Sequence, residues 1–280
     1  MPKIDTKTEI LKQFQGFLNT NSIIDQMPNS EILAFDPASK IDFDSDEFPF
    51  EDILKHKFVG KRAEHFLYYY FLKSNHFEII SFSLQVILNK QTFGEFDFIV
   101  KDLRSDEILH IELVNKIYLF DENLHEDIDY CWIGPNRKDR FLDKINKLEQ
   151  HQFPLLYRQE TESFLEDLNL KTINISQKIC YKAILFIPEN CKFRFFRTNL
   201  NCLSGYYYRF DEILNKKWQK HQFYIPEKLN WFIDETQHND WENFNSVLIK
   251  IEKLLANKQS PMVFRKNESG EVFKLFVTWW

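Results

Sequence analysis

Ile80, Phe82, Leu84, Val86 and Leu88 alternate with Ser81, Ser83 and Gln85, a period of two that predicts a half-buried strand over residues 78–88. The polar stretch Asn89–Thr92 then predicts a turn into a second strand over 93–101, and Asp102–Glu107 a turn into a third over 108–119. Three strands joined by short turns form an antiparallel meander. Upstream, Val59, Ala63, Phe66, Leu67 and Tyr70 recur at helical spacing and predict an amphipathic helix over 58–73. Downstream, Phe141, Leu142, Ile145 and Leu148 predict a second helix over 137–150, and the apolar run 179–187 a buried strand that Pro188 stops. A strand reached through a helix is expected to lie parallel to its sheet neighbour.

The fold class is therefore α/β in the α+β sense, a mixed sheet flanked by helices. Around this core, residues 58–190, the chain reads as one domain with two additions. Residues 1–57, with a short helix over 9–18 and prolines at 28, 37 and 49, form an N-terminal cover. Residues 191–280 are a C-terminal elaboration holding Gly205–Arg209, a helix over 241–255 and a last strand over 272–279. No repeat or linker divides the chain.

Composition narrows the function classes. With 280 residues and a hydrophobic fraction of 44%, the chain can bury one sizeable core. Only 6 glycines are present, and none of them forms a Gly-rich phosphate loop. A net charge of −6 argues against non-specific coating of nucleic acid, while leaving room for a local basic surface that holds a phosphate backbone. Cys131, Cys180, Cys191 and Cys202 are too widely spaced for a zinc set and read as free thiols. The acidic run Asp42–Glu47 has Glu47 where a calcium loop needs Gly and Ile53 where it needs Glu, so no calcium site is expected. No leader or membrane-length apolar run is visible, and a cytoplasmic protein without membrane contact is expected.

The candidate chemistry lies in the meander. Strand alternation puts Glu95, Asp97 and Ile99 on one face and Phe96, Phe98 and Val100 on the other. Carboxylates on an otherwise apolar strand need cations, donors or water, which a divalent metal or an exposed sheet edge would supply. Glu112, on the next strand, can approach Asp97 to a Cβ separation of about 5 Å if the two are opposed. Glu64 borders the buried stripe of its helix, about 60° from Leu67, and either pairs with Lys61 or Arg62 or faces the same site. Glu64, Asp97 and Glu112, with Lys116 nearby, suit Mg²⁺-dependent phosphodiester cleavage. Arg137, Arg140 and Lys144, with Lys138 and Lys147, load the second helix with positive charge. That face is either solvated or the surface that holds nucleic acid. The Tyr206–Arg209 segment could likewise stack on bases or pack in a core.

The order helix, three strands, helix, strand, with Glu64, Gly94–Asp97 and His110–Lys116, resembles the PD-(D/E)XK nuclease superfamily. More narrowly, Gly94–Asp97, Ile111–Leu119 and Gly134–Arg140 are similar to segments of the bacterial family called domain of unknown function 1853. The resemblance extends to Gly205–Tyr208 and the aromatic end at Trp279. It implies a restriction-endonuclease-like core, Asp97 and Glu112 as Mg²⁺ ligands, Glu64 as the helix-borne acid and Lys116 as the catalytic lysine. In one respect the chain departs from the superfamily. The lysine usually follows the acid by two residues, about 7 Å along a strand, whereas four residues span about 13 Å. A bulge at Val114 or Asn115, or the long Lys116 side chain reaching back, would close that gap. The implied function is a Mg²⁺-dependent nuclease acting on DNA or RNA. The alternative is a catalytically inactive nuclease-fold module that binds nucleic acid or a protein partner.

Overall fold

The computed structural model describes residues 7–42, 47–233 and 240–280. Most of the acidic run Asp42–Glu47 lies outside these residues, as does the extreme N-terminus. The chain forms two compact units. The first unit comprises Ile24–Asn115 and Leu142–Lys182, and the second Met1–Ile23, Lys116–Phe141 and Ala183–Trp280. Two long strands, Glu107–Phe120 and Ile175–Pro188, contribute residues to both.

In the first unit, Phe77–Leu88, Gln91–Asp102 and Glu107–Phe120 pair antiparallel in chain order, the meander that the alternation predicts. Helix Val59–Lys73 packs on it through rings, Phe71 lying 5.4 Å from Phe98 and Tyr68 4.8 Å from Phe82. A second cluster gathers Val86, Phe96, Ile99, Leu155, Leu156 and Leu165. It corrects the expected alternation, since Phe96 packs with Ile99 while Phe98 packs with Phe71 and Phe82. The physical reason lies on the partner strand. Between the pairs Phe82↔Phe98 and Leu84↔Phe96 stands Ser83, whose φ of 51° breaks the pleat and re-aims the side chains opposite. Asp97 is the residue at that break.

The Ile175–Pro188 strand is parallel to Leu33–Ala34 in the first unit and to Leu203–Arg209 in the second. In the second unit, Leu203–Arg209 also runs parallel to Val272–Thr278, which forms a hairpin with Met262–Lys266. The short strands Gln222–Tyr224 and Glu242–Asn243 extend the pairing from there. Helix Phe244–Ala256 closes one face, where Val247 and Ile251 pack with Trp218, Phe223, Val263 and Leu275. Among the described residues no helix is long and apolar enough to cross a membrane.

The second helix is shorter than its spacing suggests. It begins at Phe141, so Arg137, Lys138 and Arg140 lie in the loop before it. After Lys147 the helix widens over Leu148–Gln152 and then tightens over Phe153–Tyr157. Pro154, which has no N–H to donate, explains why regular helical bonding cannot continue there.

Gly205 shows how closely the parallel strands approach. A β-carbon there would stand 1.9 Å from the Lys274 carbonyl oxygen, a backbone atom that cannot swing aside. Gly205→Ala is therefore expected to lower stability by about 2 kcal/mol, measured by urea unfolding. A variant as stable as the wild type would show that the two strands can separate without penalty.

Candidate functional site

The register of the meander runs to Phe98↔Ile111, and one further step along it would bring Asp97 and Glu112 opposite one another. Instead of continuing the ladder, Asp97 Oδ2 accepts a hydrogen bond from the Leu113 N–H at 2.8 Å. The bend at Ser83 and Asp97 thus turns a strand position into a carboxylate that caps the neighbouring strand. Glu112 lies beside it and is 1% exposed.

Glu112 is held from two sides. Its Oε1 is 2.9 Å from His110 Nε2, and its Oε2 accepts from Gln152 Nε2 at 2.8 Å. The tautomer of His110 follows from a third partner. Gln177 Nε2 donates to the Phe153 carbonyl at 2.8 Å, and a carbonyl can only accept, so the amide nitrogen faces His110 Nδ1 at 3.1 Å. Nδ1 is then an acceptor and the ring proton sits on Nε2, where it is donated to Glu112. The ring itself is fully buried against Phe96, centroid to centroid 4.9 Å. This chain of bonds fixes the direction in which Glu112 points.

Glu64 enters from helix Val59–Lys73. Of its two expected partners it takes Lys61, at 2.5 Å, while Arg62 turns to the His56 carbonyl. Lys61 also lies 3.9 Å from Glu95. Burial raises the pKa of Glu64, the Lys61 contact pulls it down, and Glu95 and Glu112 push it up again. Asp97 is raised well above the usual carboxylate range, first by burial and then by repulsion from Glu112. The Leu113 N–H and Lys144 oppose that rise, and Glu64 adds to it. Lys61 is held above its usual range despite burial, because Glu64 hydrogen-bonds to it and Glu95 and Asp97 attract its charge. Four carboxylates, Glu64, Glu95, Asp97 and Glu112, and two lysines, Lys61 and Lys144, of the first unit thus act on one another.

The remaining expected residues belong to the second unit and are engaged there. Lys116 Nζ is 2.6 Å from Asp139 Oδ2. Asp139 also shapes its loop, since its carbonyl accepts from Gly134 N and its Oδ1 fills the space that a β-carbon at Gly134 would take. Arg137, at φ 56°, pairs with Asp121 at 2.7 Å and stacks on Trp280. Arg140 donates to the Leu124 carbonyl, and Asn136 Oδ1 accepts from Ser260 N. The Gly134–Arg140 segment is thereby accounted for as a loop that knits its own unit. The paired register of the Gln91–Asp102 and Glu107–Phe120 strands runs from Asp102↔Glu107 to Phe98↔Ile111 and stops short of Val114 and Asn115.

Lys61 was anticipated only as an ion-pair partner of Glu64, and His110, Gln152 and Gln177 were not anticipated as supports of the site. Two of them left a signal in the sequence: Lys61 stands one turn before Glu64, and His110 two residues before Glu112 on the same strand face. Gln152 and Gln177 left none, because they approach from distant segments.

The charge crowding has a consequence for stability. An acid whose pKa is raised by folding stabilises the fold below the ordinary carboxylate range, and that contribution is lost as pH rises through the raised value. Asp97→Asn cannot ionise, yet keeps an oxygen for the Leu113 N–H. The variant is expected to melt above the wild type near pH 8, with the gap closing towards pH 4, by differential scanning calorimetry. A variant that melts at or below the wild type at the higher pH would contradict this reading.

Comparison with curated proteins and with solved structures returned no match at a significant level. A family model described as a domain of unknown function, DUF1853, matches residues 16–275, nearly the whole chain, and the protein belongs to that family.

Proposed function

We propose that the protein is a Mg²⁺-dependent nuclease, hydrolysing phosphodiester bonds of DNA or RNA on a PD-(D/E)XK-like core. The observation that carries this reading is the proximity of the half-buried Asp97 to the buried Glu112, whose repulsion helps raise the pKa of Asp97. Perturbed acids grouped in this way are characteristic of functional sites.

Among the described residues no group of three or more His, Cys, Asp or Glu could by itself hold a metal ion. Mg²⁺ does not require one, because it is commonly bound through one or two carboxylates while keeping several waters and taking substrate phosphate oxygens. Asp97 and Glu112 fit that donor set, both being hard oxygen ligands. When bound there, Mg²⁺ would supply activation of water and neutralisation of phosphate charge. The protein's own groups do the rest. His110 and Gln152 fix Glu112, and the Leu113 N–H fixes Asp97. Glu64, whose pKa burial raises above the ordinary carboxylate value, is suited to accept a proton from water. Lys61 and Lys144 supply positive charge for the phosphate. The resemblance assigns the catalytic lysine to Lys116, which would have to exchange Asp139 for that role.

A second reading has its own support. Both oxygens of Glu112 already have protein partners, and Lys116, Arg137 and Arg140 are all engaged. A nuclease-fold module without catalysis, binding nucleic acid or a protein, would need no more than this.

Labelled single- and double-stranded DNA and RNA, incubated with and without Mg²⁺, separate the two readings. The nuclease reading expects Mg²⁺-dependent cleavage that falls at least about a hundredfold in Asp97→Asn, with the fold retained, and that Lys116→Ala also reduces. No cleavage of any substrate by the wild type, with no change in melting temperature on adding Mg²⁺, would favour the module.

A further inference from the structure

The second unit contains a pocket of about 420 Å³, lined by Ile187, Ser204, Tyr206, Arg265 and Phe273 among others. That volume falls within the roughly 300–1,000 Å³ of small-ligand sites. Strand register explains how it forms. Arg265 opposes Phe273 and Val263 opposes Leu275 in the hairpin, while Tyr206 stands beside Leu275 in the parallel pair. Arg265, Phe273 and Tyr206 therefore share one sheet face. At one end that face is covered, where Val263, Leu275 and Val277 pack with helix Phe244–Ala256. At the other end Tyr206 is 44% and Phe273 39% exposed.

Arg265 is the group that needs explaining. Its guanidinium lies 4.5 Å from the ring centroids of both Trp218 and Phe273. Its Nε is buried with no hydrogen-bond partner among the described residues, and burial depresses its pKa. Glu189 lines the same pocket and attracts this charge, but it is held elsewhere: Oε1 takes the Tyr208 hydroxyl and Oε2 the Lys216 ammonium. Among the described residues, the pocket thus presents an arginine with no carboxylate paired to it, next to two exposed aromatic rings. A guanidinium covered on its faces by rings can donate only in its own plane, in the fork that matches phosphate. Exposed aromatic rings beside it offer the stacking that a base requires.

We propose that this pocket binds a nucleotide, with the base on the exposed rings of Tyr206 and Phe273 and the phosphate on Arg265. The ligand could be a free nucleotide or one residue of a single strand, since both present the same base and phosphate. The site lies in the second unit and requires no metal, so it stands apart from the nuclease reading.

The test is calorimetric titration of the full-length protein, in EDTA, with 5′-AMP and with an eight-residue oligoadenylate. Saturable binding of at least one is expected, weakened about tenfold or more in Phe273→Ala and in Arg265→Gln. Binding of AMP identifies a free-nucleotide site, and binding of the oligonucleotide alone a strand-holding one. Phe273 is exposed, so its variant is expected to melt within about 2 °C of the wild type and decides the outcome even if Arg265→Gln is less stable. The proposal is overturned if neither ligand binds, or if Phe273→Ala binds as tightly as the wild type. Because EDTA suppresses hydrolysis, either result is independent of whether the protein cleaves nucleic acid.

Discussion

Repulsion between Asp97 and Glu112 is the interaction on which the site depends. Two carboxylates on neighbouring strands, Glu112 buried and Asp97 half-buried, cost free energy at neutral pH, and the protein spends part of its hydrogen bonding on keeping them in place. The Leu113 N–H leaves the ladder to meet Asp97, and His110 and Gln152 are committed to Glu112. Residues selected for stability alone would not be arranged so. Replacing the charge of Asp97 should make the protein more stable and the site less useful, the trade that functional sites commonly show.

The supporting structure is built around that constraint. A positive φ at Ser83 breaks the alternation of the neighbouring strand at Asp97, so that Phe96 and Phe98 serve different clusters. The widened turn at Leu148–Gln152 delivers Gln152 to Glu112 before Pro154 tightens the chain. Gln177 then fixes the His110 tautomer from the far end of the first unit's sequence. Each device is local, and together they leave Glu112 a single direction.

Much of this was legible in the sequence, and the exceptions have physical causes. The meander and helix Val59–Lys73 follow from periodicity, because each buries one face and exposes the other. Asp97 and Glu112 stood out as acids on apolar strands. The bend at Ser83 did not, since counting by twos assumes an unbroken pleat. Arg137 and Arg140 looked helical because loop and helix charges share the same spacing, whereas the Asp139 carbonyl and the Asp121 carboxylate hold them in a loop. Strands Gln222–Tyr224 and Met262–Lys266 were missed because they are too short to establish a period. The His110 network was out of reach for another reason: two of its members, Gln152 and Gln177, are polar residues with no pattern of their own.

We propose that Asp97 and Glu112 form a divalent-cation site completed by water. It is tested most directly by a crystal soaked in Mn²⁺, a hard cation that is detectable by anomalous scattering. A peak is expected within about 2.0–2.3 Å of one carboxylate oxygen from each residue, with the remaining positions filled by water. A crystal at saturating Mn²⁺ with no peak between Asp97 and Glu112 would contradict it.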